Sequence, residues 1–406
     1  MGRVRNNRAL GPWIEALLVG VVWVLAASGD WWMRFRWYRW QDRVVLRRGV
    51  TEKGPYAPML VLTNPAVRGG DLTTLMGNVP GADRFKEWKA AATNWTDEFG
   101  FRNVPPTGGR TSPVVVAGDS FMTAGPRMED TFPGRLELLG GIPVYNYAYD
   151  GRGSLRSPLL LLTVSDRFRA APPRLVIWGI LEREVSAANF AHVRRQAARN
   201  LSAGTAAFCW EEVMPHALKR SLPDTSAISQ LAAKTWGRLR VLLIGGTAPA
   251  VVEASGRIAG KEVLFYGPGV ETLLVPPADR GVDVVAEAAI YIQQLCREQG
   301  SELLIVLIPD KEQVYREYIA GLSGAPDESI SSVLNELELR LRSAAVPVMN
   351  LLTPFRTAAR GGRLLYWTDD THWNTDGVDL AVQCVLPELR RYMAEDAANL
   401  RDQHAL

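Results

Sequence analysis

The chain has 406 residues, 47% of them hydrophobic and 22% charged, which is ordinary for a globular protein and long enough for one large domain or two ordinary ones. A net charge of +3 is too small to argue for nucleic acid as a partner. Cys209, Cys296 and Cys384 show neither CxxC nor metal-like spacing, which excludes a disulfide framework and a zinc site, although one pair could bridge in an oxidising compartment.

The charge is unevenly placed. Residues 1–50 hold nine arginines against Glu15, Asp30 and Asp42. A basic tail, 1–12, leads into "WIEALLVGVVWVLAASGDWW", and the apolar stretch 13–33 is long enough to span a bilayer as a helix. A cleavable signal peptide is the competing reading, with "AAS" at 26–28 as its cleavage site. Tryptophans at both ends, placed as in an interfacial belt, favour an uncleaved anchor. Arg3, Arg5 and Arg8 precede the span, whereas Arg34, Arg36, Arg39, Arg43, Arg47 and Arg48 follow it. A plain positive-inside count therefore puts the body of the protein in the cytoplasm. The segment "WWMRFRWYRWQDRVVLRR" (31–48) also suits a helix lying on an anionic membrane surface. Residues 34–82 read as a membrane-proximal basic and aromatic segment with a linker, irregular and rich in Gly, Pro and Asn from about 50.

From residue 83 the pattern becomes α/β. Apolar runs rich in β-branched residues recur at 113–118, 142–149, 174–180, 302–309 and 346–352. Their continuity predicts strands covered on both faces, as in a parallel sheet. Helical patterns lie between them, at 284–300, ending in a C-cap glycine, and at 329–344. The expected fold is a doubly wound parallel sheet with helices on both faces over 83–395. An insertion at about 188–281 breaks the rhythm and could shape a binding surface, and 396–406 reads as a tail.

The first strand runs into "GDSF", Gly118 to Phe121. A serine at the end of a strand in an open α/β sheet lies at the edge where ligands bind. Serine is a weak nucleophile and needs a base, which needs an orienting carboxylate. Of the four histidines, His192, His216 and His404 lie in helix-like, insertion or tail contexts without a matching acid motif. His372 follows the last sheet-like run in "LLYWTDDTHWNTDG" (364–377), with Asp370 two residues before it and Asp369 three before. Taken alone that stretch reads as a polar turn. With "VVVAGDSF" it makes Ser120, His372 and Asp370 a candidate triad.

"VVVAGDSF" with "DTHWN" resembles the SGNH (GDSL-type) hydrolase superfamily. More narrowly, the chain is similar to the AlgX/AlgJ-type branch that O-acetylates alginate and other exopolysaccharides. Further stretches agree over roughly 95–392: "DEFGFRN" (97–103), "VYNYAYDGRG" (144–153), "VIWGILERE" (176–184) and "VLIPDKEQVY" (306–315). The resemblance implies an SGNH-type fold with Ser120 as nucleophile, His372 as general base and Asp370 as the acid of the branch's Asp-x-His form. Asp369 fits the Asp-x-x-His spacing of the wider superfamily, so the acid is a choice between neighbours. The implied oxyanion hole is the amide of Ser120 and that of Gly151, five residues after Asn146. The superfamily's third block usually supplies an asparagine. Here the strand end reads Gly179-Ile-Leu-Glu-Arg183, and Glu182 and Arg183 either prop the loop as an ion pair or meet the sugar. Lys311 and Tyr315 either support the site or form a solvated helix start. Trp373 is expected to pack beneath the catalytic loop or sit beside a sugar, and Asn374 and Gly377 to shape and cap the loop.

The implied activity is acetyl transfer through a serine acyl-enzyme onto hydroxyls of an extracytoplasmic polysaccharide, with no metal or other cofactor. It places the catalytic domain in the periplasm on an inner-membrane anchor, against the positive-inside count. It also implies a multi-pass membrane partner that delivers the acetyl group, with 31–48 as its docking surface. The rival readings are an SGNH carbohydrate acetylesterase, with water as acceptor, and a non-catalytic scaffold of a polysaccharide-export complex.

Overall fold

In a computed structural model of the chain, the described residues are Val21, Val24, 54–322 and 332–403, less 57, 77–80, 106–111, 150–153, 164 and 191–249. The chain divides into two units. All described residues but two belong to the unit formed by Arg47–Cys209 with Thr247–Leu406. Val21 and Val24, helical and exposed, belong to the other. The expected anchor over 13–33 thus lies outside the described residues except at those two positions. Among the described residues no helix is long and apolar enough to cross a membrane.

Each of the five apolar runs forms a strand: β1 Val114–Ala117, β2 Val144–Asn146, β3 Leu175–Leu181, β4 Glu302–Ile308 and β5 Val348–Asn350. They make one parallel sheet in the order β5-β4-β3-β1-β2. The long central pair keeps one register from Glu302 opposite Leu175 to Ile308 opposite Leu181. Successive side chains alternate between two cores, which is why the runs are apolar without a polar face. Val115, Ala117, Val176, Trp178 and Ile305 enter one core, and Val114, Val116, Ile177, Val306 and Ile308 the other.

Helices complete the layers, among them α1 Ser120–Thr123, α2 Phe132–Gly140, α3 Arg156–Thr163, α4 Val282–Glu298, α5 Lys311–Val314, α6 Val333–Ser343, α7 Leu352–Arg360 and α8 Thr375–Gln403. The first core is sealed by Leu159 of α3, Val285, Ala289 and Ile292 of α4 and Leu334, Leu337 and Leu341 of α6. The second takes Leu136 of α2, Phe355 of α7 and Val378, Val382 and Leu389 of α8. Helix α4 stops just before Gly300, whose φ of +76° suits glycine. Helix α6 starts at Ser332, whose hydroxyl accepts the Leu334 amide at 3.2 Å. In this order β2 lies on one side of β1 and the chain then crosses back to β3 on its other side, so the carboxyl end of β1 is at the switch point of the sheet. Ser120 lies three residues beyond it.

The structure departs from the sequence reading at three boundaries. Part of the presumed linker is folded onto the unit: Val61–Asn64 pairs antiparallel with Ala92–Trp95, Val67–Arg68 with Trp88–Lys89, and a short helix spans Asp71–Met76. Elements of two to six residues are too short to show a helical or strand period. The end of the presumed insertion is core, since Leu264–Tyr266 pairs with Val251–Glu253 and Phe265 is fully buried. The expected tail from 396 continues α8 to Gln403, in a run that holds the helix formers Ala397, Ala398, Leu400, Arg401 and Gln403. Cys296 and Cys384 are free thiols, and Cys209 lies outside the described residues.

Candidate active site

Gly118 leaves β1 with φ +147°, and a side chain there would come within 2.9 Å of Met122 Cγ and 3.1 Å of the Gly179 carbonyl. Glycine thus lets the chain turn closely over β3. The next residue caps α1: Asp119 Oδ1 accepts the Phe121 amide at 3.0 Å. Burial, and then Glu184, push the Asp119 carboxyl up to about 8. Ser120 follows as the first residue of α1.

The stretch 364–374 returns to this edge. Tyr366 and Trp373 form an antiparallel bridge, and the Trp367 amide donates to the His372 carbonyl at 3.2 Å. Asn374 holds the base of the loop: its Nδ2 donates to Leu364 O at 2.7 Å and its Oδ1 accepts the Gly377 amide at 3.0 Å. A Cβ on Gly377 would lie 2.2 Å from the Leu365 carbonyl, so only glycine fits. Trp373 is 1% exposed and packs on Phe121 and Phe132, with ring centroids 5.6 and 6.1 Å away. Trp373 therefore lies beneath the loop and has no face left for a sugar.

These two stretches bring Ser120, His372 and Asp370 together. Ser120 Oγ lies 2.9 Å from His372 Nε2, and His372 Nδ1 lies 2.7 Å from Asp370 Oδ1. The His372 amide donates to the same oxygen at 3.2 Å. Asp370 Oδ2 accepts from Lys89 Nζ at 2.5 Å. Burial works against charge on Asp370, but His372 and Lys89 outweigh it and hold the carboxyl well below the usual range. With Asp370 ionised, Nδ1 keeps its proton and Nε2 is left to accept the Ser120 hydroxyl.

Asp369 faces elsewhere. Its Oδ2 accepts the Glu87 amide at 3.0 Å and its carbonyl accepts the Leu72 amide at 3.1 Å. Burial pushes the Asp369 carboxyl up. The carboxylate on the imidazole is Asp370.

Lys311 is not a solvated helix start. It is fully buried, and its Nζ donates to the carbonyls of Trp367 at 2.6 Å and of Thr368 and Asp370 at 3.2 Å. Burial lowers its pKa to about 8. Lys311→Met should cost about 2–3 kcal/mol, since buried carbonyls lose their donor, and slow ester turnover by displacing Asp370. The burial cost of the ammonium is full below about pH 8 and is relieved as pH rises toward the ordinary lysine range, so this group does not weaken the fold there. Turnover should nevertheless fall above about pH 8, because a neutral amine has two N–H groups for three carbonyls, while thermal stability holds. Tyr315 is also buried: its hydroxyl donates to Arg363 O and accepts the Leu365 amide, both at 2.8 Å.

Glu182 and Arg183 both bind Asp310, which precedes Lys311. Glu182 Oε2 accepts the Asp310 amide at 3.1 Å, and Arg183 Nε donates to Asp310 Oδ1 at 2.6 Å. They prop the end of β4. Asn146 is buried, with Nδ2 donating to Thr123 Oγ1 at 3.1 Å, and ties β2 to α1. Gly151 lies outside the described residues, as do His192, His216 and His404.

Sequence reasoning missed Asp71, Glu87 and Lys89. All three reach the 364–374 loop from the stretch read as linker or domain edge, where no motif or period marks them. Glu87 Oε2 accepts the Thr368 amide at 3.0 Å. Asp71, Asp370 and His372 have potential ligand atoms within 4.8 Å of one another, but a cation there would compete with the proton that joins His372 to Asp370.

The sequence profile of the family described as SGNH hydrolase-like domain, acetyltransferase AlgX, matches residues 63–182 and 264–405. The chain is similar to the probable alginate O-acetylase AlgJ of Pseudomonas fluorescens, 25% identical over 158 residues, or 38% of this chain and 37% of that protein. A stretch of 71 residues is 42% identical to the probable alginate O-acetylase AlgJ of Azotobacter vinelandii, covering 18% of this chain and 17% of that one. The chain thus spans well under half the length of these curated relatives. Among solved structures, a carbohydrate acetylesterase family member from Sinorhizobium meliloti matches 69% of this chain and 98% of its own at 13% identity, with a TM-score of 0.32. At that score the likeness carries no weight, and the fold stands on the strand order of the sheet.

Proposed function

The chain belongs to the family of SGNH hydrolase-like, AlgX-type acetyltransferase domains, and from that membership we propose that it is a serine-dependent O-acetyltransferase acting on an exopolysaccharide. The observation that carries the reading is the hydrogen-bond chain from Ser120 through His372 to Asp370. Ser120 Oγ attacks the acetyl carbonyl of the donor while His372 Nε2 takes its proton, and Asp370 stabilises the imidazolium. The tetrahedral oxyanion rests on the amides of Ser120 and Gly151. Collapse breaks the bond to the donor, whose leaving oxygen or sulfur takes the proton from His372. A sugar hydroxyl then gives His372 its proton, attacks the acetyl-serine and leaves as the acetyl ester, restoring the Ser120 hydroxyl.

The named alginate O-acetylase relatives support an alginate-like polysaccharide as acceptor. In this reading residues 13–33 anchor the chain in the inner membrane, the catalytic domain faces the periplasm, and a multi-pass membrane protein supplies the acetyl group. A periplasmic reporter fused to the C-terminus tests the orientation; a cytoplasmic result rules out the exopolysaccharide reading. The acetylesterase reading shares the first half-reaction. Full-length protein given a chromogenic acetyl ester and alginate oligosaccharides separates the two by mass spectrometry of the sugar. Acetylated oligosaccharide is the expected product. Free acetate alone makes the protein an esterase.

A further inference from the structure

The imidazole of His372 faces more than one carboxylate. Asp71 opens the helix Asp71–Met76, and its Oδ2 lies 3.9 Å from His372 Nδ1, beyond Asp370 Oδ1 at 2.7 Å. The same carboxylate accepts the Thr371 amide at 2.8 Å and the Thr371 hydroxyl at 2.6 Å. The position of Asp71 is set independently of these bonds. The Leu72 and Thr73 amides donate to the Asp369 carbonyl at 3.1 and 3.4 Å, and Gly70 packs so closely that a Cβ would lie 2.3 Å from that carbonyl.

Resting on the serine–histidine reading above, we propose that Asp71 is a second carboxylate of the proton relay, a positioning residue that holds Thr371–His372 and shares the imidazolium charge with Asp370. The electrostatic need for it is visible. Lys89 Nζ binds Oδ2 of Asp370, so an ammonium group already draws on the carboxylate that is to stabilise the imidazolium, while Lys311 holds the backbone carbonyl of the same residue. Asp71 restores negative charge on the Nδ1 side, while buried Asp119 faces His372 from the nucleophile side. Burial, and then Asp370, push the Asp71 carboxyl up, as expected of two carboxylates sharing one histidine. At one-third exposure the Asp71 charge is partly screened, so its effect is a tuning of the base rather than its creation.

The test follows the His372 imidazole directly, by ¹⁵N NMR on full-length, histidine-labelled protein, its resonance assigned by its loss in His372→Gln. Asp71→Asn should lower the imidazole pKa by about half to one unit, and the acid limb of ester turnover should move down with it. Asp71→Ser keeps an acceptor for the Thr371 amide without the charge and should give the same drop. Thr371→Val, which removes the hydroxyl bond but keeps both carboxylates, should leave the titration in place. In an Asp370→Ala background, Asp71→Asn should cost a further tenfold or so, because Asp71 is then the remaining partner of Nδ1. An unchanged imidazole titration in folded Asp71→Asn or Asp71→Ser overturns the proposal. If Ser120→Ala retains full turnover, the serine mechanism fails instead, and the NMR titration still decides the role of Asp71.

Discussion

Ser120→Ala is expected to lower acetyl-ester turnover by about 10⁶-fold, and the double variant with His372→Ala should be no worse than either alone. The two side chains act as one unit, the hydroxyl 2.9 Å from the nitrogen that must take its proton. Removing either end therefore removes the whole step, and what remains comes from the oxyanion donors and binding. Neither change should unfold the protein: Ser120 is only half-buried, and small surface-side truncations usually cost within about 0.5 kcal/mol. The acetylated protein, trapped at low pH and detected by mass spectrometry, should be absent from Ser120→Ala. Independent losses that multiply in the double variant would mean that serine and histidine do not share a step.

Asp370→Asn and Asp369→Asn should part company by orders of magnitude. An asparagine amide at 370 can donate to Nδ1, which turns the proton onto Nε2 and leaves nothing there to accept from Ser120. A loss of about 10⁴ in turnover is expected, as in other serine triads. Asp369→Asn should cost less than about tenfold in rate, since its carboxylate holds the Glu87 amide and not the imidazole. Stability against pH separates them too. His372 and Lys89 hold Asp370 low, so this group stabilises the fold above about pH 4, its value in the unfolded chain, and that contribution fades as pH falls further. Asp370→Asn should therefore remove part of the stability at pH 7 and flatten the acid side of the curve. Equal rate losses at 369 and 370 would overturn the assignment of the acid.

The sheet was legible because parallel strands buried on both faces announce themselves as unbroken Val, Ile and Leu runs, and all five became strands. The pairing of Ser120 with His372, 2.9 Å apart, was legible because "GDSF" closes the first run and "DTHWN" follows the last. The choice between Asp370 and Asp369 turned on which way two adjacent side chains point, and loop geometry fixes that rather than spacing. Lys311 stayed open between site support and a solvated helix start for a related reason. A lysine near a helix start normally points to water, and only the fold shows three carbonyls converging on it. Asp71, Glu87 and Lys89 were invisible because their service is to a loop some 280–300 residues away, across contacts that leave no local pattern.

The hydrogen bond between Ser120 and His372 closes a loop of 252 residues. Contacts so distant in sequence form late, after nearer strand pairings have been made. During synthesis β1 and its neighbours emerge first and can collapse on their own cores. The stretch from 364 onward comes last. On the proposed mechanism, a nascent chain thus carries an unactivated serine, and its reactivity switches on only when the final segment brings His372 to Ser120. Timing is built into the topology: a chain arrested before Leu364 holds Ser120 without His372.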